Sequence, residues 1–173
     1  MGGLSRMGGP HRMNERMASN ERNMLKGDGA MGDAARRRWL SSEFIGNVPG
    51  KVEAVGELRD EDGSNLAYLS FSTERDIITD IGVTVSADCP EILRAALAAT
   101  CSLAHMKAVM AADLINPDDV MGQLEGEGGD DEYFASLMAI LTLKNALASY
   151  ADHRRVENAG WNSGDKETVK GAS

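Results

Sequence analysis

Cys89, in the step Asp88-Cys89-Pro90, stands where a β-branched run, Ile77–Val85, gives way to a helical one that opens at Pro90. A thiol at a helix N-terminus feels the positive end of the backbone dipole and free N–H groups, which favours the thiolate that ligates metals and attacks sulfur. The alternative for such a thiol is plain packing. Cys101 and His105 are four residues apart on one helical face, a spacing that serves metal ligation or packing on an Ala-rich helix. They lie three turns past Cys89, and twelve residues advance a helix by about 120° beyond whole turns, so they do not converge with it. Asp60, Glu61 and Asp62 form an acidic turn that either adds oxygen ligands for iron or simply faces solvent. Met13, Met17 and Met24 share a face at helical spacing. Thioethers select Cu(I), and they also adapt to an apolar partner groove. His11 and His153, in or near the tails, show no partner in the sequence.

Other chemistries lack their residues. The chain has no phosphate-binding Gly loop, no Gly-x-Ser-x-Gly elbow and no His/Asp pair at catalytic spacing, so no enzyme is expected. The segment Glu125–Gly129 is Gly-rich but acidic and would repel phosphate. The net charge of −9 is unevenly spread: the first 38 residues hold eight basic and four acidic side chains, +4, and the remainder is −13. An acidic body argues against nucleic-acid binding. The basic arm suits an acidic protein surface, with Met13, Met17, Met24, Arg36, Arg37 and Arg38 as its contact residues. Two cysteines without paired spacing make no disulfide framework, which places the chain in a reducing cytoplasm. No apolar run is read as a membrane span and no signal peptide is seen, so no membrane partner is expected.

The elements that would position these residues fall into three parts. Residues 1–38 read as a basic Met/Gly-rich arm holding six of the ten methionines, disordered alone and ordered in a complex. Residues 39–154 form the folded domain, and 155–173 a polar, disordered tail containing an unexplained Trp161. A short helix over 33–45, with Asp33 as N-cap, carries Trp39, Leu40, Phe44 and Ile45 as anchors. Strand signals over Lys51–Leu58, Leu66–Ser72 and Ile77–Val85, separated by polar turns, predict an antiparallel meander. In the second, Ala67, Leu69 and Phe71 share one face. Helices are predicted over Pro90–Ala112, Asn116–Leu124 with Pro117 at the first helical position, and Asp131–Arg154. The apolar face of the last one comprises Phe134, Leu137, Met138, Leu141, Leu147 and Tyr150.

This order of elements resembles the IscU/NifU N-terminal iron–sulfur cluster scaffolds over residues 40 to 152. In those proteins a Gly-Cys step ends the third strand and an Ala/Ser-rich helix follows; Asp88-Cys89-Pro-Glu-Ile-Leu-Arg-Ala-Ala-Leu-Ala matches that layout with Asp in place of Gly. Ile115-Asn-Pro-Asp-Asp-Val120 resembles the family's Ile-x-Pro-x-Asp-Ile segment. Leu137-Met-Ala-Ile-Leu-Thr-Leu-Lys-Asn-Ala-Leu-Ala-Ser-Tyr150 follows the course of its final helix. Val55-Gly-Glu-Leu-Arg-Asp-Glu-Asp-Gly63 is similar to its Val-Gly-x-Leu-x-Asp-x-Asp-Gly stretch. The resemblance implies an α+β fold, a three-stranded antiparallel meander packed against a long, a short and a long C-terminal helix.

It also implies a cluster held by three cysteines plus an aspartate or histidine, since iron in a thiolate site wants four ligands. Here the loop that carries the first cysteine in the family reads Asp60-Glu-Asp-Gly-Ser-Asn65, and the family's His-Cys pair corresponds to about Phe134 and Ala135. The chaperone-recruiting Leu-Pro-Pro-Val-Lys segment of one branch is replaced by Glu125-Gly-Glu-Gly-Gly-Asp-Asp131. Cys89 alone remains as a cluster ligand. No cofactor is therefore expected in isolation, and a cluster only with ligands from a second subunit. Three readings stay open. One is an accessory or assembly subunit acting through protein–protein contacts, its arm docked on a larger enzyme, a metalloenzyme, or on assembly machinery. The second is a working scaffold or carrier, as a homo-oligomer sharing a cluster through Cys89. The third is a one-cysteine sulfur carrier.

Overall fold

Ala67, Leu69 and Phe71 alternate with polar residues along the middle strand, and that period-two pattern sets the sheet's two faces. The computed structural model describes residues 31–171, and side chains as far as Gly160. Strands β1 (Ala54–Arg59), β2 (Asn65–Glu74) and β3 (Ile77–Val85) form an antiparallel sheet in the order β1-β2-β3. Gly56 pairs with Leu69 and Phe71 with Ile81, so Ala54, Leu58, Ala67, Leu69, Phe71, Ile81 and Val83 all turn toward the helices and are buried. Both central residues of the β2–β3 turn, Arg75 and Asp76, have positive φ (51° and 62°), the pair of values a tight right-twisted hairpin demands. The outer edge of β3 is covered by two irregular segments: Val83 exchanges backbone bonds with Phe44 and Gly46, and Ile78 with Met106 and Lys107.

Helix α1 (Asp33–Leu40) precedes the sheet; α2 (Glu91–Ala104), α3 (Val109–Ala112), α4 (Pro117–Leu124) and α5 (Asp130–Gly171) follow it. The first helix is shorter than expected, and its N-cap is Gly32 rather than Asp33, which sits in the first turn. It straddles the arm boundary drawn at residue 38. Ala35 and Trp39 are buried, the Trp39 indole N–H donates to Gln123 O (2.9 Å), and Gly32 N donates to Leu124 O (3.0 Å). These two donors satisfy carbonyls at the C-terminus of α4 that a helix leaves without intrahelical partners. The predicted helix over Pro90–Ala112 is two helices. His105 closes α2 and Met106 adopts φ 64°, because 106–108 leave the helix to bond the edge of β3. In α4 the expected start is present in full: Asn116 and Asp119 form a reciprocal capping box ahead of Pro117.

Helix α5 departs from expectation twice. It continues past Arg154 to Gly171, carried by pairs of the kind His153–Glu157 (3.4 Å) and Arg154–Glu157 (3.6 Å) that neighbour each other along a helix. Its packed face is also different. Ala135, Ser136, Ala139, Ile140, Leu143, Ala146, Leu147 and Tyr150 are buried, whereas Phe134 is 62% exposed and Leu141 is also on the outside. Gly56 explains the choice of face: a Cβ there would lie 2.8 Å from Ala146 N and closer still to Thr142 O, so β1 and the α5 backbone touch. That approach demands a small residue at Ala146, while Ile140, Leu143, Leu147 and Tyr150 are buried on the same helix. The stretch Asp130–Gly160 is, by length and composition, apolar enough to cross a membrane, contrary to the sequence expectation; half of its most apolar window is buried within the protein, as in a core helix.

Candidate functional site

Strand register brings the chemistry-bearing turns to one end of the sheet. Arg59 pairs with Asn65, closing the acidic turn, while Ala67 pairs with Val85 and Ser86 N donates to Leu66 O (2.9 Å). The β1–β2 turn and the β3–α2 loop therefore leave the sheet together. Thr142 of α5 lies over Gly56. Eight residues earlier, at about 1.5 Å each, the helix reaches the same end with Phe134 and Ala135. Cys89, the acidic turn and the start of α5 thus share one pole. A shallow pocket of about 480 Å³ borders it, between Glu57–Arg59 of β1 and Met138, Leu141, Thr142 and Asn145 of α5.

The thiol itself is closed off. Cys89 is 2% exposed, and its Sγ lies 3.9 Å from the Pro90 carbonyl oxygen. Helix α2 begins at Glu91 with Pro90 as N-cap, so Cys89 stands one residue outside the cap. Burial pushes its pKa up, opposed only in part by the Arg94 guanidinium. Of the two readings of this thiol, burial supports the packed one: desolvation penalises the anion more than Arg94 favours it. Arg94 has another task here. Its Nε donates to Cys89 O (2.9 Å) and its Nη2 to Ala87 O (3.1 Å), which fixes the loop.

The companion residues do not complete a metal site. The Asp60–Asn65 turn closes on itself, with Asp60 N donating to Ser64 O (2.8 Å), Gly63 N to Asp60 O (2.9 Å) and Glu61 N to Asp60 Oδ1 (2.6 Å). Asp60, Glu61 and Asp62 are exposed. Cys101 is fully buried and its pKa is driven far up by burial. His105 turns its ring onto the edge of Phe44 and places Nε2 3.2 Å from Thr79 O. His153, expected without partners, lies against Glu157. Among the described residues no three His, Cys, Asp or Glu side chains gather as a metal would require. Around Cys89, the described residues bring no further donors together of the number a thiolate cluster takes.

Of the expected contact residues, Met13, Met17 and Met24 lie outside the described residues, as does His11. Arg36 pairs with Glu91, Arg38 stacks over Trp39 (4.6 Å to the ring centroid), and Arg37 lines a shallow surface pocket with Asp33, Leu40 and Ser41. The Trp161 side chain is also outside the description. Sequence reasoning passed over two groups at the head of α5. The carboxyl of Glu132 is buried: Oε2 accepts from Gly128 N (3.1 Å), Oε1 has no partner within hydrogen-bond geometry, and burial raises the pKa against the Gly128 and Glu127 backbone N–H groups. Ser136, one turn on, is buried with an unpartnered hydroxyl, as is the Ser86 hydroxyl in the Cys89 loop. The signal for Glu132 was available, since a Glu in the third position of a helix commonly reaches back to the N-terminal backbone.

No family model matches the sequence, and no curated protein matches it closely enough to count. Solved structures do. A protein from the thermophile Fervidobacterium islandicum AW-1, described as a candidate iron–sulfur cluster assembly scaffold for the SUF system, is 15% identical with a TM-score of 0.54; the alignment covers 67% of this chain and 96% of that one. The N-terminal part of a nitrogen-fixing NifU-like protein from Brucella abortus is 12% identical, also at 0.54, covering 72% and 96%. The chain has the IscU/NifU-like fold. At such identities the likeness is one of fold alone: a three-stranded antiparallel sheet with helices.

Proposed function

We propose that this protein is a scaffold-derived, non-catalytic subunit of the cytoplasm that has lost its cluster ligands and acts through protein–protein contacts. The partner is a larger enzyme, a metalloenzyme, or part of an assembly machinery, and the basic arm with Met13, Met17 and Met24 docks on it. The observation that carries this reading is the burial of Cys89: 2% exposed, with its pKa pushed up by desolvation, and with the other cysteine, Cys101, buried along α2. A cluster ligand must present a thiolate to iron, and a sulfur carrier must present one to a persulfide donor. Phe134, 62% exposed on α5 where the resemblance puts a ligand pair, is the kind of apolar anchor that a partner surface covers.

Affinity purification of the full chain tests the partner. The expected outcome is a colourless protein that brings down one large enzyme in stoichiometric amount, and loses it when Met13, Met17 and Met24 are replaced by Ser. A persulfide mapped to Cys89 by mass spectrometry would overturn the reading in favour of a sulfur carrier.

A further inference from the structure

The fold covers one edge of its sheet and leaves much of the other open. Phe44, Gly46, Met106 and Lys107 bond the outer edge of β3. Among the described residues the outer edge of β1 is bonded at Val55, whose N–H donates to Ser149 Oγ of α5 (3.3 Å), and not beyond it. Alternation along an antiparallel strand turns the N–H and C=O of Glu57 and Arg59 the same way as those of Val55. Asp60 fixes the phase, since its N–H donates inward to Ser64 O (2.8 Å). The outward groups of Glu57 and Arg59 border the groove of about 480 Å³ whose other wall is α5, where Leu141 is 46% exposed beside Met138 and Asn145. An open edge of this kind takes up a further strand.

The strand that fits is β1 itself. Laid antiparallel on a copy of itself about a two-fold axis at Leu58, β1 sets Glu57 opposite Arg59 of the copy and Arg59 opposite its Glu57. Backbone and charge agree in this register. The residues brought opposite each other are the outward-facing ones, so each pair exchanges both N–H···O bonds, while Leu58 lies at the axis with its side chain buried in its own core. The neighbouring registers with the same backbone phase set Glu57 against Glu57 or Arg59 against Arg59. Opposite charges directly across an antiparallel pair stabilise it, and like charges oppose it. Within one chain Arg59 already holds Glu57 (3.0 Å) with both side chains exposed, so this ion pairing passes between copies without burying a charge.

We propose that β1 is a homodimer contact: the Glu57–Arg59 edges of two chains pair antiparallel about a two-fold axis, joining the two sheets, and each strand roofs the other's groove over Leu141. The contact is short, so the dimer is a weak one that grows with concentration. It is independent of the function proposed above, because the arm and its partner do not enter it and its failure leaves that reading standing.

Sedimentation equilibrium of the full chain over a range of concentrations, combined with charge reversal, tests the contact. Wild type is expected to pass from monomer to dimer. Glu57→Arg and Arg59→Glu each set like charges opposite each other; each is expected to stay monomeric at an unchanged urea midpoint, both positions being exposed. Mixed in equal amounts, the two variants are expected to regain the dimer, since every facing pair is then of opposite charge. Amide exchange at Glu57 and Arg59 is expected to slow several-fold as the wild-type concentration rises, and to be independent of concentration in either variant alone. A wild type that is monomeric throughout overturns the proposal. So does a dimer that either single reversal leaves intact, or a mixture of the two variants that stays monomeric. Slowed exchange at these amides that requires an added protein gives the edge to a different strand, and overturns it equally.

Discussion

Cys89 and Glu132 are both ionisable groups whose surroundings disfavour their charge, for the same reason: water has been removed and too few donors replace it. For Glu132 the consequence is measurable. Its folded pKa lies above the ordinary carboxylate value of 4.5, because burial outweighs the backbone N–H groups of Gly128 and Glu127 that favour the anion. The native state therefore holds this proton more tightly than the unfolded chain does. The associated stability is complete below the unfolded pKa and is lost as pH rises through the folded one. Glu132→Gln keeps an acceptor for Gly128 N and never ionises. It should be more stable than wild type by about 1 kcal/mol at pH 7, with the difference shrinking toward pH 4 in urea melts. A difference independent of pH would contradict the assignment. Arg75 makes a second case. Its φ of 51° is one an L side chain adopts at a cost. Arg75→Gly should raise stability by about 1 kcal/mol. Its neighbour Asp76 must stay, since it accepts from Tyr150 OH (2.5 Å) and ties α5 to the hairpin.

At the scale of elements, much was legible. The three strands followed from alternation and turn residues, and α4 from Asn116, Pro117 and Asp119. What could not be read was which face of α5 would pack. The sequence offers a stripe of large apolar residues and a stripe of small ones, and hydrophobicity favours the large. Gly56 fixes the point of closest approach: its missing side chain lets the α5 backbone at Thr142 and Ala146 touch β1. Such a contact is tertiary and leaves no local signal. Gly56→Ala should therefore destabilise the domain by about 3 kcal/mol, at the upper end for overpacking, read as a drop in the urea midpoint at unchanged m-value. A midpoint within error of wild type would mean that α5 packs differently. The extent of α1 was hidden in the same way: the bonds from Gly32 and Trp39 to the end of α4 join residues 84 or more positions apart. The candidate site was half legible. Its loops were placed by the order of elements, but the state of the Cys89 thiol depends on burial that no motif encodes.

The whole molecule has an IscU/NifU-like fold whose pole beside α2 is buried at Cys89, exposed and acidic at the Asp60–Asn65 turn, and apolar at Phe134. The proposed protein-contact role rests on that combination. The most direct test is the iron content and visible spectrum of the full-length protein, purified under anaerobic conditions beside Cys89→Ala. The account predicts two colourless proteins without stoichiometric iron, indistinguishable from each other. A brown wild-type protein holding stoichiometric iron, with both colour and iron gone in Cys89→Ala, would contradict it.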